Sequence, residues 1–210
     1  MNKELITRQD TKVSLSKSKS LMNITKKILT SKDTVSTEEW MVKLWTWADE
    51  YYISSQIIPR TQDNLVNLTS HNTPDNYLTE LPAEIGNLVN LTWLSVFNNQ
   101  LTKLPKEIGS LVKLTELELT FNDRIELPKE IANLVSLTKL DISFNSLTKL
   151  PKEIENLINL IELDIASNDQ IELPKEIGNL VNLTKLNISS NQLVALPKEM
   201  ENLVDIKVVY

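Results

Sequence analysis

The chain has 210 residues, 41% of them hydrophobic and 24% charged, a balance that supports a packed core in a soluble protein. It contains no cysteine, which excludes disulfide frameworks, thiolate metal sites and cysteine nucleophiles. The net charge of −6 is uneven: residues 1–32 hold eight basic and two acidic residues, leaving 14 basic against 26 acidic ones and a net of −12 in the rest. Such an acidic body repels phosphate backbones, so nucleic acid is excluded as a partner, and no apolar run is long enough for stable membrane insertion.

Residues 1–33 form a basic leader rich in serine and lysine, expected to be disordered, without the continuous apolar core of a secretory signal peptide. Leu21, Ile24 and Ile28 fall at helical spacing with Lys26 and Lys27 on the other side, a pattern that also fits a targeting or export leader. From Ser36 a capping box with Glu39 precedes Trp40, Leu44, Trp47, Ala48 and Tyr51 on one helical face. This predicts a capping helix within residues 34–57, its tryptophans serving as an apolar lid over the first turn of whatever follows. Residues 58–80 are a degenerate first copy of the motif described next. In it His71 and Thr73 replace two strand leucines, so His71, the sole histidine, is expected to pack in the core and not to act as a ligand or base.

The block LPKEI or a near copy begins at Leu81, Leu104, Leu127, Leu150, Leu173 and Leu196, a constant step of 23 residues. A period in this range signals a stacked solenoid. Five full blocks occupy residues 81–195, and a truncated one occupies 196–210. Each alternates like Leu94-Ser95-Val96, the pattern of a half-buried strand, and each carries a proline-led stretch of helical spacing such as PAEIGNLVNL. Asparagines at 99, 122, 145, 168 and 191 follow the strands, where an inward amide can donate and accept between neighbouring turns as a ladder.

The segment LxxLxLxxN resembles the leucine-rich repeat family over residues 58–210. The resemblance implies an α/β solenoid: a right-handed horseshoe with a concave parallel β-sheet, and short helices or helical turns on the convex side. With leucines and isoleucines inward, ligand chemistry falls to the residues between them. One column, Trp93, Glu116, Lys139, Glu162, Lys185, alternates in sign, as does the loop column Glu80, Lys103, Glu126, Lys149, Glu172. Strands about 4.8 Å apart place these opposite charges side by side. The turns alternate as well, NQLTKLP against NDRIELP, which makes a 46-residue unit of two different repeats.

The next column does not cancel, because Glu118, Asp141 and Asp164 stack like charges on successive strands. Beside it Trp93, Phe97, Phe121 and Phe144 are expected to cluster, and exposed aromatic residues are frequent interface anchors. These seven residues are the candidate partner-binding set of a non-enzymatic protein-protein interaction module, the partner carrying basic and apolar groups. No cofactor or metal is expected: the sequence has no phosphate loop, no metal-ligand spacing and no nucleophile paired with a base. The location expected is cytoplasmic. The alternative is a bacterial-type effector, secreted through the non-classical leader and acting by binding in another cell. The last strand, with Val208, Val209 and Tyr210, offers an edge open to self-association.

Overall fold

The computed structural model describes residues 38–122, 125–168, 171–193 and 195–210, so the leader with Leu21, Ile24 and Ile28, and also Ser36 of the capping box, lie outside the described residues. Helix α1, Glu39–Glu50, buries Met41, Leu44, Trp45, Trp47 and Ala48, a broader face than the spacing predicts, with Met41 and Trp45 added. Its N-cap is Glu38 and makes no side-chain capping bond, so the helix starts later than the Ser36–Glu39 box implies. It packs on the 3-10 helix Ala83–Asn87. The tryptophans do more than cover that end: Trp45 Nε1 donates to the carbonyl of Pro59 at 2.8 Å and Trp47 Nε1 to that of Glu80 at 3.2 Å. Arg60 ties the exit of α1 to the first repeat through Asp49, 2.6 Å away.

After the short helix α2, Gln62–Val66, come seven three-residue strands: β1 Ser70–Asn72, β2 Trp93–Ser95, β3 Glu116–Glu118, β4 Lys139–Asp141, β5 Glu162–Asp164, β6 Lys185–Asn187 and β7 Lys207–Val209. They pair in parallel and in sequence order, forming the single parallel sheet that the resemblance implies. The offset is 23 residues from β1 to β6, with Ser70 opposite Trp93 and Glu162 opposite Lys185. Between strands stand 3-10 helices of five residues, each preceded by a proline at its N-cap. Those prolines are extended, with φ −71° and ψ 151° at Pro82, so each stands just before the helix and not within its first turn. Proline's fixed φ suits that conformation.

The centre of each turn is filled by leucine and isoleucine. Leu94, Leu140, Ile142, Leu163 and Ile165 are at most 1% exposed. His71 stands opposite Leu94 in the sheet and is itself buried.

Buried asparagines stitch the turns together. Asn99 Nδ2 lies 2.8, 3.0 and 3.1 Å from the carbonyls of Thr73, Val96 and Phe97, while its Oδ1 accepts the N–H groups of Asn76 and Leu78. Asn168, fully buried, reaches the carbonyls of Ile142, Ile165 and Ala166 and accepts the Leu147 N–H. Asn76 occupies the equivalent place in the first repeat, 23 residues before Asn99.

The turn alternation is expressed in these same bonds. After Asn99 and Asn145 the buried leucine comes two residues later, and the N–H of Leu101 or Leu147 donates to the next asparagine side chain. After Asn122 and Asn168 the buried isoleucine comes three residues later, and the asparagine's own N–H makes that bond. The two turn types join in pairs: Lys103 bridges Glu126 and Lys149 bridges Glu172 in short parallel contacts. Between one pair and the next the turns part, leaving a cleft of about 480 Å³ bounded by Ile125, Glu126, Leu147 and Lys149. A second, of about 810 Å³, opens 46 residues on, beside Ile171, Glu172, Leu193 and Leu196.

Replacing Asn168 by alanine leaves several buried backbone groups unpaired, each worth about 1–3 kcal/mol. Urea unfolding of Asn168→Ala is expected to show a loss of at least ~2 kcal/mol, several times that of Asn179→Ala at an exposed position.

Candidate functional site

The sheet register stacks Ser95, Glu118, Asp141, Asp164 and Asn187 on successive strands. The flanking column Trp93, Glu116, Lys139, Glu162, Lys185 lies alongside, and Lys185 Nζ approaches Glu162 Oε2 at 3.5 Å. Two of the three acidic residues are committed to the backbone. Asp141 Oδ1 accepts the Ser143 N–H at 3.0 Å and the Ser143 hydroxyl at 2.7 Å. Asp164 Oδ1 accepts the Ala166 N–H at 3.0 Å, and its Oδ2 takes a bond from Asn187 Nδ2 at 2.9 Å. These are local turns in which a short side chain holds the N–H two residues on. The Asn187 bond also offsets the column's repulsion from within it, where the sequence suggested that nothing in the column does so. Glu118, one methylene longer, is half-buried beside them. Lys139, Asp141, Glu162, Asp164 and Lys185 rim a depression of about 130 Å³.

The aromatic residues divide between the two ends of the strands. Trp93 opens β2, four residues before Phe97, a separation of about 13 Å at strand rise, so it does not join the phenylalanines. Phe121 and Phe144 do come together: their rings stack at 4.3 Å with an interplanar angle of 17°, and both are half exposed, at 49% and 48%. Phe97 is half-buried.

The column holding this stack has a peculiar backbone. Asp75, Asn98, Phe121, Phe144, Ser167 and Ser190 all adopt positive φ, between 52° and 57°. Aspartate and asparagine tolerate the left-handed region, but for a bulky residue it is a strained outlier costing about 1–2 kcal/mol. Stacking of the two rings returns roughly 0.5–1.5 kcal/mol, enough to offset part of the combined strain.

Several features escape the sequence reading. The ladder begins at Asn76, hidden by the loss of the strand leucines around it, although a 23-residue step back from Asn99 finds it. Another is a row of exposed β-branched residues, Val89, Val112, Val135, Ile158, Val181 and Val204, one per repeat. Its signal is a Val or Ile directly after the leucine that follows each 3-10 helix, from Leu88 to Leu203. Among the described residues no cluster of three His, Asp or Glu side chains could hold a metal ion, and no helix is long and apolar enough to cross a membrane.

Residues 60–146 match the model of a leucine-rich repeat region, and residues 135–200 match a second leucine-rich repeat model. The chain belongs to the leucine-rich repeat family. A leucine-rich repeat protein of Leptospira interrogans is similar at 33% identity and a TM-score of 0.55, over 75% of this chain and 53% of that one. A plant peptide hormone receptor solved in complex with its hormone is similar at 35% identity and a TM-score of 0.62, over 69% of this chain and 24% of the receptor. The ectodomain of an Arabidopsis thaliana membrane receptor kinase, also solved with a bound ligand, shows 32% identity and a TM-score of 0.59, over 69% of this chain and 18% of that one. This leucine-rich repeat chain thus spans about half of the Leptospira protein and a quarter or less of the receptors. No curated protein matches the sequence.

Among the described residues His71, away from this face, carries the largest electrostatic perturbation. Burial lowers its pKa to about 4, with the Ile57 backbone offsetting part of the effect, and Thr73 Oγ1 lies 3.4 Å from its Nε2. A histidine held neutral in the fold supports stability fully above its unfolded pKa near 6.5 and loses that support as pH falls toward 4. At about 1.4 kcal/mol per unit, roughly 3 kcal/mol is lost across this window. His71→Leu, restoring the residue type of the other repeats, is expected to abolish that part of the acid sensitivity in urea unfolding at pH 7 and pH 4.5.

Proposed function

We propose that the chain is a non-enzymatic protein-binding module. Its concave face receives a partner whose basic groups meet Glu118, Asp141 and Asp164 and whose apolar groups meet Phe121 and Phe144, with Trp93 and Phe97 flanking. The observation that carries this reading is the exposed Phe121–Phe144 stack on left-handed backbone. Serine fills the same place at Ser167 and Ser190 with the same φ, so the repeat does not require phenylalanine there. Strained, half-exposed rings beside a carboxylate column have little to gain from folding and much to offer a partner. The plant receptors solved with bound ligands support the role of such a solenoid as a binding surface. An open face with a depression of about 130 Å³ does not enclose a substrate, which favours binding over catalysis.

The test uses substitutions that respect local geometry. Phe121→Ser with Phe144→Ser adopts the residue of the later repeats, and Asp141→Asn removes charge while keeping the oxygen that holds Ser143. Peptides selected from a displayed library on the intact chain are expected to carry lysine or arginine beside apolar residues. Their affinity should fall at least tenfold on the double serine variant and severalfold on Asp141→Asn, with melting temperatures within a few degrees of the parent. Peptides that bind the serine variant as tightly as the parent would sink this assignment.

A further inference from the structure

Along the edge where each 3-10 helix leads into the next strand, the chain exposes one β-branched residue per repeat. Val89, Val112 and Val135 are 46%, 46% and 47% exposed, and Ile158, Val181 and Val204 are 54%, 71% and 91% exposed. Each directly follows a buried leucine, from Leu88 to Leu203, so the row is not the core pattern spilling outward: the leucine points in and the next residue points out. The row is also held rigidly. Asn90, Asn159 and Asn182 donate to the carbonyls of Val66, Val135 and Ile158 in the preceding repeat, at 2.8, 2.8 and 2.7 Å. Next to it the hydroxyls of Thr92, Thr115, Thr138 and Thr184 bond the preceding repeat in the same way. Ile161 interrupts that threonine column and is 44% exposed, which widens the apolar strip beside Ile158.

We propose that this ridge is the contact between two copies of the chain, packed edge to edge and antiparallel about a two-fold axis passing between Val135 and Ile158. Charge selects the occupant. Residues 33–210 carry a net of −12, so two copies repel wherever acidic surfaces meet. The ridge itself has no charge, and the position two residues before each of its members is asparagine or serine in all six repeats. On the other flank the charged residues are Lys113 and Asp205, which in the antiparallel register face Asn182 and Asn90. On the helix side Glu155, which accepts a bond from Asn179, and Glu201 face Ala132 and Gly86 in the same register, so no like charges oppose each other and a second copy meets an apolar strip identical to its own. In the antiparallel register Val89 pairs with Val204, Val112 with Val181 and Val135 with Ile158, the same patch on both copies, as an isologous contact requires. With its flanking amides, the exposed strip is on the order of the ~800 Å² per partner buried in a standard interface.

Light scattering on the intact chain is expected to give twice the 24.0 kDa chain mass at micromolar concentration. Val135→Lys with Ile158→Lys should weaken association at least 100-fold while circular dichroism stays unchanged. If that variant misfolds, Val89→Lys with Val204→Lys at the ridge ends serves the same purpose. Because the chain lacks cysteine, register can be read directly. Val89→Cys with Val204→Cys should form a disulfide-linked dimer on mild oxidation, since within one copy these positions lie five repeats, at least about 24 Å, apart. Val89→Cys alone should not cross-link. A monomeric parent, a lysine variant that stays dimeric, or equal cross-linking by Val89→Cys alone would each overturn the proposal. A ridge covered by the chain's own leader or by another protein would give the first of these results.

Discussion

The constraint on which this molecule depends is the need to satisfy backbone amides and carbonyls inside a turn that has almost no regular structure. Strands of three residues and 3-10 helices of five leave much of each repeat without an intrasegment partner. The asparagine ladder supplies those bonds from side chains, and each amide reaches both its own turn and a neighbour. Stability therefore passes from repeat to repeat through nearest-neighbour contacts. At the N-terminal end this logic explains tryptophan in α1 better than apolarity does. Its indole covers leucines and isoleucines while its N–H pairs the carbonyls of Pro59 and Glu80.

The same economy shapes the concave face. Asp141, Asp164 and Asn187 hold the N–H two residues downstream, so the column that bears the acidic charge also closes each strand. Structural and recognition roles are thus superposed on single side chains, and a carboxylate there is exchangeable for an amide without loss of the turn. Phe121 and Phe144 stand apart from this economy: their neighbours in the column show the backbone does not call for them.

The period was legible because the constraint repeats: a leucine or isoleucine at each inward position and an asparagine after each strand leave an unmistakable spacing. The strand register followed directly, and with it the columns. What stayed hidden was conformational. Nothing in the letters marks residues 121 and 144 as left-handed, since phenylalanine rarely adopts that region. The two roles of Asp141 were invisible because a charge column and a hydrogen-bonded turn use the same letter. The valine ridge was overlooked for a simpler reason. A valine beside a leucine is counted with the core unless the fold shows that consecutive residues leave the turn in opposite directions.

The pairing of unlike turns has a consequence for how such a chain can grow or shrink. Lys103 meets Glu126 and Lys149 meets Glu172, and each asparagine bond is tailored to the turn type beyond it. Excising one 23-residue block from the interior would bring two turns of the same kind into contact, with lysine against lysine or glutamate against glutamate. Excising 46 residues would restore every junction. Length changes that keep every lysine-glutamate junction therefore come in double steps.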